Sequence, residues 1–449
     1  MKPVRFFSYV GFCFSLVACT VDGGAHEDDG PSSDVGEPSG VNARFFLPTG
    51  EPDNTSAPTV EVDAQGGIHA LYPAYAIGGA YYAYCPADCR DAEDVQVVRF
   101  DTDGTVTSAM LALDAKGRPR VLLSAYSHVY YATCDERCGD ERGWQIATLL
   151  DHHAKKDVTG NSFALDPQGR PRFLLHTYVA FLGIGQEAPK TEWMACDDDC
   201  LKPSSWTATT LATQIFHRST LRFDANGGAH LGLIARVEDE QGAPVDVGAY
   251  QYCASDCADG DRWSSITFGE AYASEYEAVS MKPGIAMALT RDGAPRVLFM
   301  QRGEGDTKQL TYYECDGDCS DGAGWRGNIL ADHAELDEGI DLALDANDRP
   351  RGVFTLSYNV GLITCDANCA ETTWTVEKIE GGDEMPPDRV FPYADCNVGA
   401  WFLHSPSIAV TPAGELRVGY QARDISGGGT NKCVAGTDMT FARMALVPR

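Results

Sequence analysis

Four short stretches of this 449-residue chain gather side chains suited to acid–base or metal chemistry. They hold His152 and His153 (DHHAKKD), His217 and Arg218 (IFHRST), His333 and Glu335 (ADHAELDEG), and His404 (FLHSPS). A neutral imidazole can ligate a divalent metal or move a proton near pH 7. A carboxylate from Glu275, Glu335 or Asp395 would complete either arrangement. Tyr272, Tyr276, Tyr393 and Trp401 fall in the same kind of stretch, where their rings could stack on a sugar or pack as a lid. The histidines can equally be unrelated surface residues. No nucleophile elbow, phosphate loop, His-Glu-x-x-His or zinc-finger spacing accompanies them.

What must position these stretches is a repeat. The pattern apolar-x-Asp-x-x-Gly-x-Pro-Arg-apolar occurs seven times, about every 58 residues. Its copies centre on Asp63/Gly66/His69, Asp114/Gly117/Arg120, Asp166/Gly169/Arg172, Asp224/Gly227/His230, Thr290/Gly293/Arg296, Asp345/Asp348/Arg351 and Thr411/Gly414/Arg417. Alternating apolar residues on both sides read as strands. Asp can accept from backbone amides of a tight turn, and Gly three residues on tolerates positive φ. Each copy therefore predicts a β-hairpin, and turn chemistry accounts for the repeated Asp more simply than calcium does. The Arg or His is expected to bond within its own unit. His217 and His404 each lie seven residues before the turn position, at Asp224 and Thr411, so they occupy equivalent places.

A second signature, aromatic-x-x-Cys-x3-Cys-x5-Trp, follows most hairpins. It supplies Cys134/Cys138/Trp144, Cys196/Cys200/Trp206, Cys253/Cys257/Trp263 and Cys315/Cys319/Trp325, with Cys365/Cys369/Trp374 one residue shorter. Cys85 and Cys89 form the first pair, with Val95 at the Trp position, while Cys396 and Cys433 are left to bond each other. Zinc wants four ligands from two adjacent pairs; here each pair stands alone, so six short disulfides across hairpin turns are expected. The tryptophans are expected to fill the spaces between units.

Each repeat then holds four strands, A to D. Seven such units predict an all-β, seven-bladed β-propeller of four-stranded blades over residues 43–449, with a disordered N-terminal tether. In such a ring the A–B and C–D turns share one face. The B–C and D–A connections share the other, expected to be long, varied and functional. The histidine stretches are D–A connections. The turn pattern, over about residues 55–449, resembles that of secreted bacterial sialidase-like (BNR-repeat) propellers. The Ser-x-Asp-x-Gly-x-x-Trp box of true sialidases is absent: ALDAKGRPR has neither the Ser nor the Trp.

The N-terminus reads as an export signal over 1–18, with Lys2 and Arg5 before a short apolar run. It ends Leu16-Val17-Ala18-Cys19, which resembles a bacterial lipobox and implies lipidation at Cys19. Residues 19–42, rich in Gly, Ser, Pro, Asp and Glu, are too polar to bury a core and predict a flexible tether. A net charge of −30 argues against nucleic-acid partners. The expectation is a lipid-anchored protein of the bacterial outer membrane or cell surface, touching the membrane through its anchor alone. It would bind a glycan or envelope protein and need no cofactor, a divalent metal being the one candidate. The alternative is a secreted carbohydrate-active hydrolase or lyase using the histidines and acids.

Overall fold

The computed structural model describes residues 41–448, apart from segments 50–54, 75–77, 153–155, 159–160, 178–189, 213–216, 240, 273–283, 334, 386–400 and 425–438. Seven antiparallel sheets follow one another along the chain, and their innermost strands contact in a closed ring. Blade II is representative: Val106–Leu113, Pro119–Ala125, His128–Cys134 and Trp144–Asp151 pair in that order from axis to rim. In blade II strand A ends at the residue before Asp114, B starts at Pro119, C ends at the first Cys and D starts at Trp144, as the repeat predicts, and the other bounds fall within a residue or two of this pattern. In blade III the inner strand is broken into Lys156–Asp157 and Phe163–Leu165, both paired with Pro171–Thr177.

Five of the seven A–B hairpins share one chemistry, and in the other two Thr290 and Thr411 accept a single turn N–H in place of Asp. Asp114 Oδ1 accepts the backbone N–H of Lys116 at 2.9 Å and Arg118 at 3.0 Å, and Asp63, Asp166, Asp224 and Asp345 repeat the pattern. Gly117 sits at φ +73°, so the third residue of the turn needs the left-handed region that glycine tolerates. Among the described residues six disulfides join Cys85–Cys89, Cys134–Cys138, Cys196–Cys200, Cys253–Cys257, Cys315–Cys319 and Cys365–Cys369. Cys396 and Cys433 lie outside the described residues. The indole N–H of each signature Trp donates to the carbonyl of the second Cys, at 2.9 Å for Trp144. Its ring packs across the blade boundary: Trp144 against Tyr82 and Phe100, Trp325 against Tyr250 and Phe268.

Two features depart from the expectation. The ring is closed by the start of the domain: Ala43–Phe46 pairs with Met439–Val447 as the outermost strand of blade VII, beyond Leu416–Asp424 and Trp401–Val410. That fourth strand has no repeat signature, because nothing precedes it with the Cys–Trp pattern. Several B–C connections are also short rather than long. Blade II turns through Tyr126 and Ser127, and blade VI through Ser357 and Tyr358 alone. Strands that pair along their whole length leave no chain for a larger loop.

Candidate functional site

Inward from the turns, one position on strand A distinguishes two blades from the rest. Two residues before the turn position stand Glu61, Ala112, Ala164, Arg222, Ala288, Ala343 and Ala409. Five blades carry alanine there, of which Ala112 and Ala164 line the axial cavity; Glu61 of blade I and Arg222 of blade IV put charge into it. Each is directly opposite the repeat's Arg or His on strand B: Ala112 faces Arg120 and Ala343 faces Arg351, whereas Glu61 faces His69 and Arg222 faces His230.

The exchange is explained by what the strand B residue must reach. Arg120 donates to the Cys134 carbonyl at 2.9 Å, Asp135 at 2.8 Å and the turn Asp114 at 3.1 Å. Arg351 repeats this with Cys365, Asp366 and Asp345. Cys85 and Cys253 are followed by Pro86 and Ala254 instead of Asp, so blades I and IV offer an arginine no such carboxylate. There His69 lies between Asp63 and the Tyr82 hydroxyl, and His230 between Asp224 and the Tyr250 hydroxyl, with Nδ1 to hydroxyl distances of 2.7 Å. Burial lowers both imidazole pKa values despite the neighbouring aspartates, so each ring is a neutral relay between two oxygens.

Glu61 and Arg222 line a cavity of about 460 Å³ on the ring axis, together with Asp341, Asn161, Ser407 and Thr59. It extends to the A–B turns at Asp63, Ala64, Asp114 and Gly117, the face opposite the one expected to be functional. Its walls are held by bonds between neighbouring inner strands. Thr59 donates to the Ala109 carbonyl, Thr220 to that of Ile285, and the Ser407 hydroxyl accepts from Val60 N–H. Asp341 accepts from Ile408 N–H at 3.0 Å with one oxygen and from Leu342 N–H at 2.9 Å with the other. It is thus a blade clamp as well as a wall residue.

Glu61 keeps some surface inside the cavity but is shielded from bulk water. That shielding raises its pKa to about 7; Arg222 pulls it down and Asp341 pushes it up. The sign of the linkage follows. The folded-state pKa lies above the unfolded one, so the stability contributed by neutral Glu61 is present in full below about pH 4.5 and lost as pH rises through 7. Glu61→Gln should therefore melt like the parent at pH 4 but be more stable at pH 8.5, by up to about 3 kcal/mol. Equal melts at pH 8.5 would contradict this environment for Glu61.

The residues singled out from sequence distribute as follows. His152 is buried, accepts from Lys156 N–H through Nδ1 at 3.3 Å, and its Nε2 has no partner among the described residues. Burial, then His128 and Lys156, hold its pKa down at about 4. His404 is likewise held at about 4 by burial and by Arg423, with Nδ1 3.1 Å from the Ser405 hydroxyl. His333 is exposed, and its Nδ1 accepts from Glu335 N–H at 3.1 Å. Trp401 is buried, and its indole N–H has no partner among the described residues. His217 and Arg218 lie at the start of the blade IV inner strand. His153, Glu275, Tyr276, Tyr393 and Asp395 lie outside the described residues. The structure brings His333 and Glu335 together; it places His152 and His404 in separate blades. Among the described residues no three His, Cys, Asp or Glu side chains gather as metal ligands. Glu61, Arg222 and Asp341 were missed. The alanine at the equivalent position of five repeats was the signal that could have found the first two.

Comparison with protein-family models finds no match, and neither does comparison with curated proteins. Solved structures with a similar course of chain include the polysaccharide lyase Uly1, at 8% identity over 90% of this chain and 92% of that one, TM-score 0.47. An α-L-arabinanase of Penicillium chrysogenum complexed with arabinobiose matches at 10% identity over 76% and 99%, TM-score 0.45. The NanB sialidase of Streptococcus pneumoniae, as its K499G mutant, matches at 8% identity over 89% and 71%, TM-score 0.40.

Proposed function

We propose that this protein is an exported, lipid-tethered binding propeller that takes up a glycan in its axial cavity. One observation carries the reading: a cavity of about 460 Å³ lined by an arginine, a neutral-to-ionised glutamic acid and several fixed polar groups. That size suits a sugar unit or two, and convergent polar groups on a rigid wall are what fixes a hydroxyl-rich ligand. Arg222 donates one bond to the Leu221 carbonyl at 2.9 Å. Arg222 lines the cavity, and its remaining N–H groups are the donors this reading assigns to ring and hydroxyl oxygens. Glu61 donates when protonated and accepts when ionised. The lipobox-like Cys19 and the polar stretch after it support anchoring at the outer membrane or cell surface. The acidic charge argues for no nucleic-acid partner, and the ligand set asks for no cofactor.

Calorimetric titration of the full chain with soluble envelope polysaccharides tests the reading. Binding is expected, and Glu61→Ala with Arg222→Ala should weaken it at least about tenfold, the loss of one charged hydrogen bond or more. Silence with every polysaccharide overturns it. A hydrolase or lyase reading has one specific observation in its favour: a carboxylic acid titrating near 7 in the same cavity as Asp341. Release of reducing ends or unsaturated products, abolished by Glu61→Gln, would replace binding with catalysis.

A further inference from the structure

On the face opposite the turns, blade VI makes its B–C connection in two residues, Ser357 and Tyr358, at φ +49° and +63°. Two consecutive left-handed residues define the hairpin turn that Asn-Gly fills most readily. A bulky aromatic there costs free energy, and such strain persists only when surroundings impose it. They do here. Ser357 N–H donates to the Glu335 carbonyl at 3.1 Å, and its hydroxyl donates to the Glu335 carboxylate. The Tyr358 carbonyl accepts from Leu403 N–H at 3.0 Å. Asn359 donates to the Ser357 carbonyl at 3.1 Å and accepts from Gly382 N–H.

The turn presents a ring. Tyr358 is 48% exposed, yet lies flat on Phe402 of blade VII, with centroids 3.7 Å apart and planes 10° from parallel. One face of the tyrosine is fixed by Phe402 and the rest of the ring meets solvent. Neither the turn, which disfavours Tyr, nor the core, which Tyr358 does not enter, accounts for this residue. Exposed Glu335 and His333 stand at the turn's edge and can bond hydroxyls.

We propose that the Tyr358–Phe402 stack is a platform for the apolar face of a pyranose ring, with Glu335 and His333 bonding hydroxyls at its edge. It shares a ligand class with the axial cavity but none of its residues. A glycan chain could therefore be held on this face without entering the cavity.

The test uses the full chain with ring-labelled tyrosine, titrated with cellopentaose, xylopentaose, maltopentaose and chitopentaose. At least one should shift the Tyr358 ring resonances. Tyr358→Asn is the informative variant, because Asn suits the left-handed turn. It should melt no lower than the parent yet weaken binding about tenfold, the scale of one aromatic contact. Tyr358→Trp should keep binding, and Glu61→Ala should leave it unchanged. Unchanged affinity in Tyr358→Asn overturns the platform, as does a Tyr358 signal that none of the four sugars moves. Binding lost in Glu61→Ala but kept in Tyr358→Asn would leave the cavity reading standing and remove this one.

Discussion

Glu380→Ala is expected to destabilise the folded chain by about 3–5 kcal/mol, the cost of stranding one partner of a buried ion pair. Glu380 ends the outer strand Thr375–Glu380 of blade VI and is 1% exposed. Both its oxygens meet Arg443 of blade VII at 2.5 Å, and the Tyr420 hydroxyl donates to one of them, also at 2.5 Å. The guanidinium also lies over the Phe46 ring, 4.6 Å from its centroid, in the closing strand Ala43–Phe46. Blade VI, blade VII and the N-terminal strand thus meet at one carboxylate. Removing it leaves a cation that is 4% exposed on its side chain with no counter-charge, at the seam where the ring closes. Tyr420→Phe removes only a hydroxyl and should cost about 1 kcal/mol. Denaturant midpoints of the two variants against the parent would check this. A Glu380→Ala loss below 1 kcal/mol would mean that the seam relaxes and hydrates the arginine.

Most of the architecture was legible because each blade spends its recognisable residues on turns. Asp114 and its equivalents bond turn amides, the cysteines staple C–D turns and the tryptophans seal blade boundaries, all local chemistry with fixed spacing. The closing strand was not legible. Pairing between Ala43–Phe46 and Met439–Val447 joins the two ends of the domain, and four residues of strand carry no period long enough to read. The axial site was half legible. Glu61 and Arg222 sit in runs such as TVEV and TLRF, where a charge on an inner strand looks like a solvent-facing residue until the repeats are aligned. Then the alanines at 112, 164, 288, 343 and 409 make both charges conspicuous. So does the missing Asp after Cys85 and Cys253. The attraction of the histidines was chemical type alone. His152 is buried and His404, on the strand Trp401–Val410, half-buried; both are neutral, a state that residue type alone does not announce. Tyr358 was hidden for the opposite reason: Ser-Tyr is not a turn signal, and its strain is visible only in the backbone.

Reducing the six disulfides of the described residues is expected to lower the melting point by on the order of 10 °C, the largest of the expected effects. Each bridge closes a loop of four-residue separation, worth about 2 kcal/mol on the loop-entropy argument. Were they additive, six would supply on the order of 10 kcal/mol, comparable with the whole stability of an ordinary domain. The bonds around them make near-additivity reasonable, because each bridge sits in a different blade. They also make each bridge matter beyond its own loop. The first Cys carbonyl takes the strand B arginine in blades II, III, V and VI. The second takes the Trp indole in blades II to VI. Opening a bridge frees a turn that orients both an intrablade and an interblade contact. A reduced chain melting within 5 °C of the oxidised one would show that the arginine and tryptophan bonds hold the turns unaided. The C–D turns would then be stable by hydrogen bonding rather than by covalent closure. Removing Cys134 and Cys138 together as serines separates the two contributions, since blade II keeps Arg120 and Trp144 while losing only the bridge.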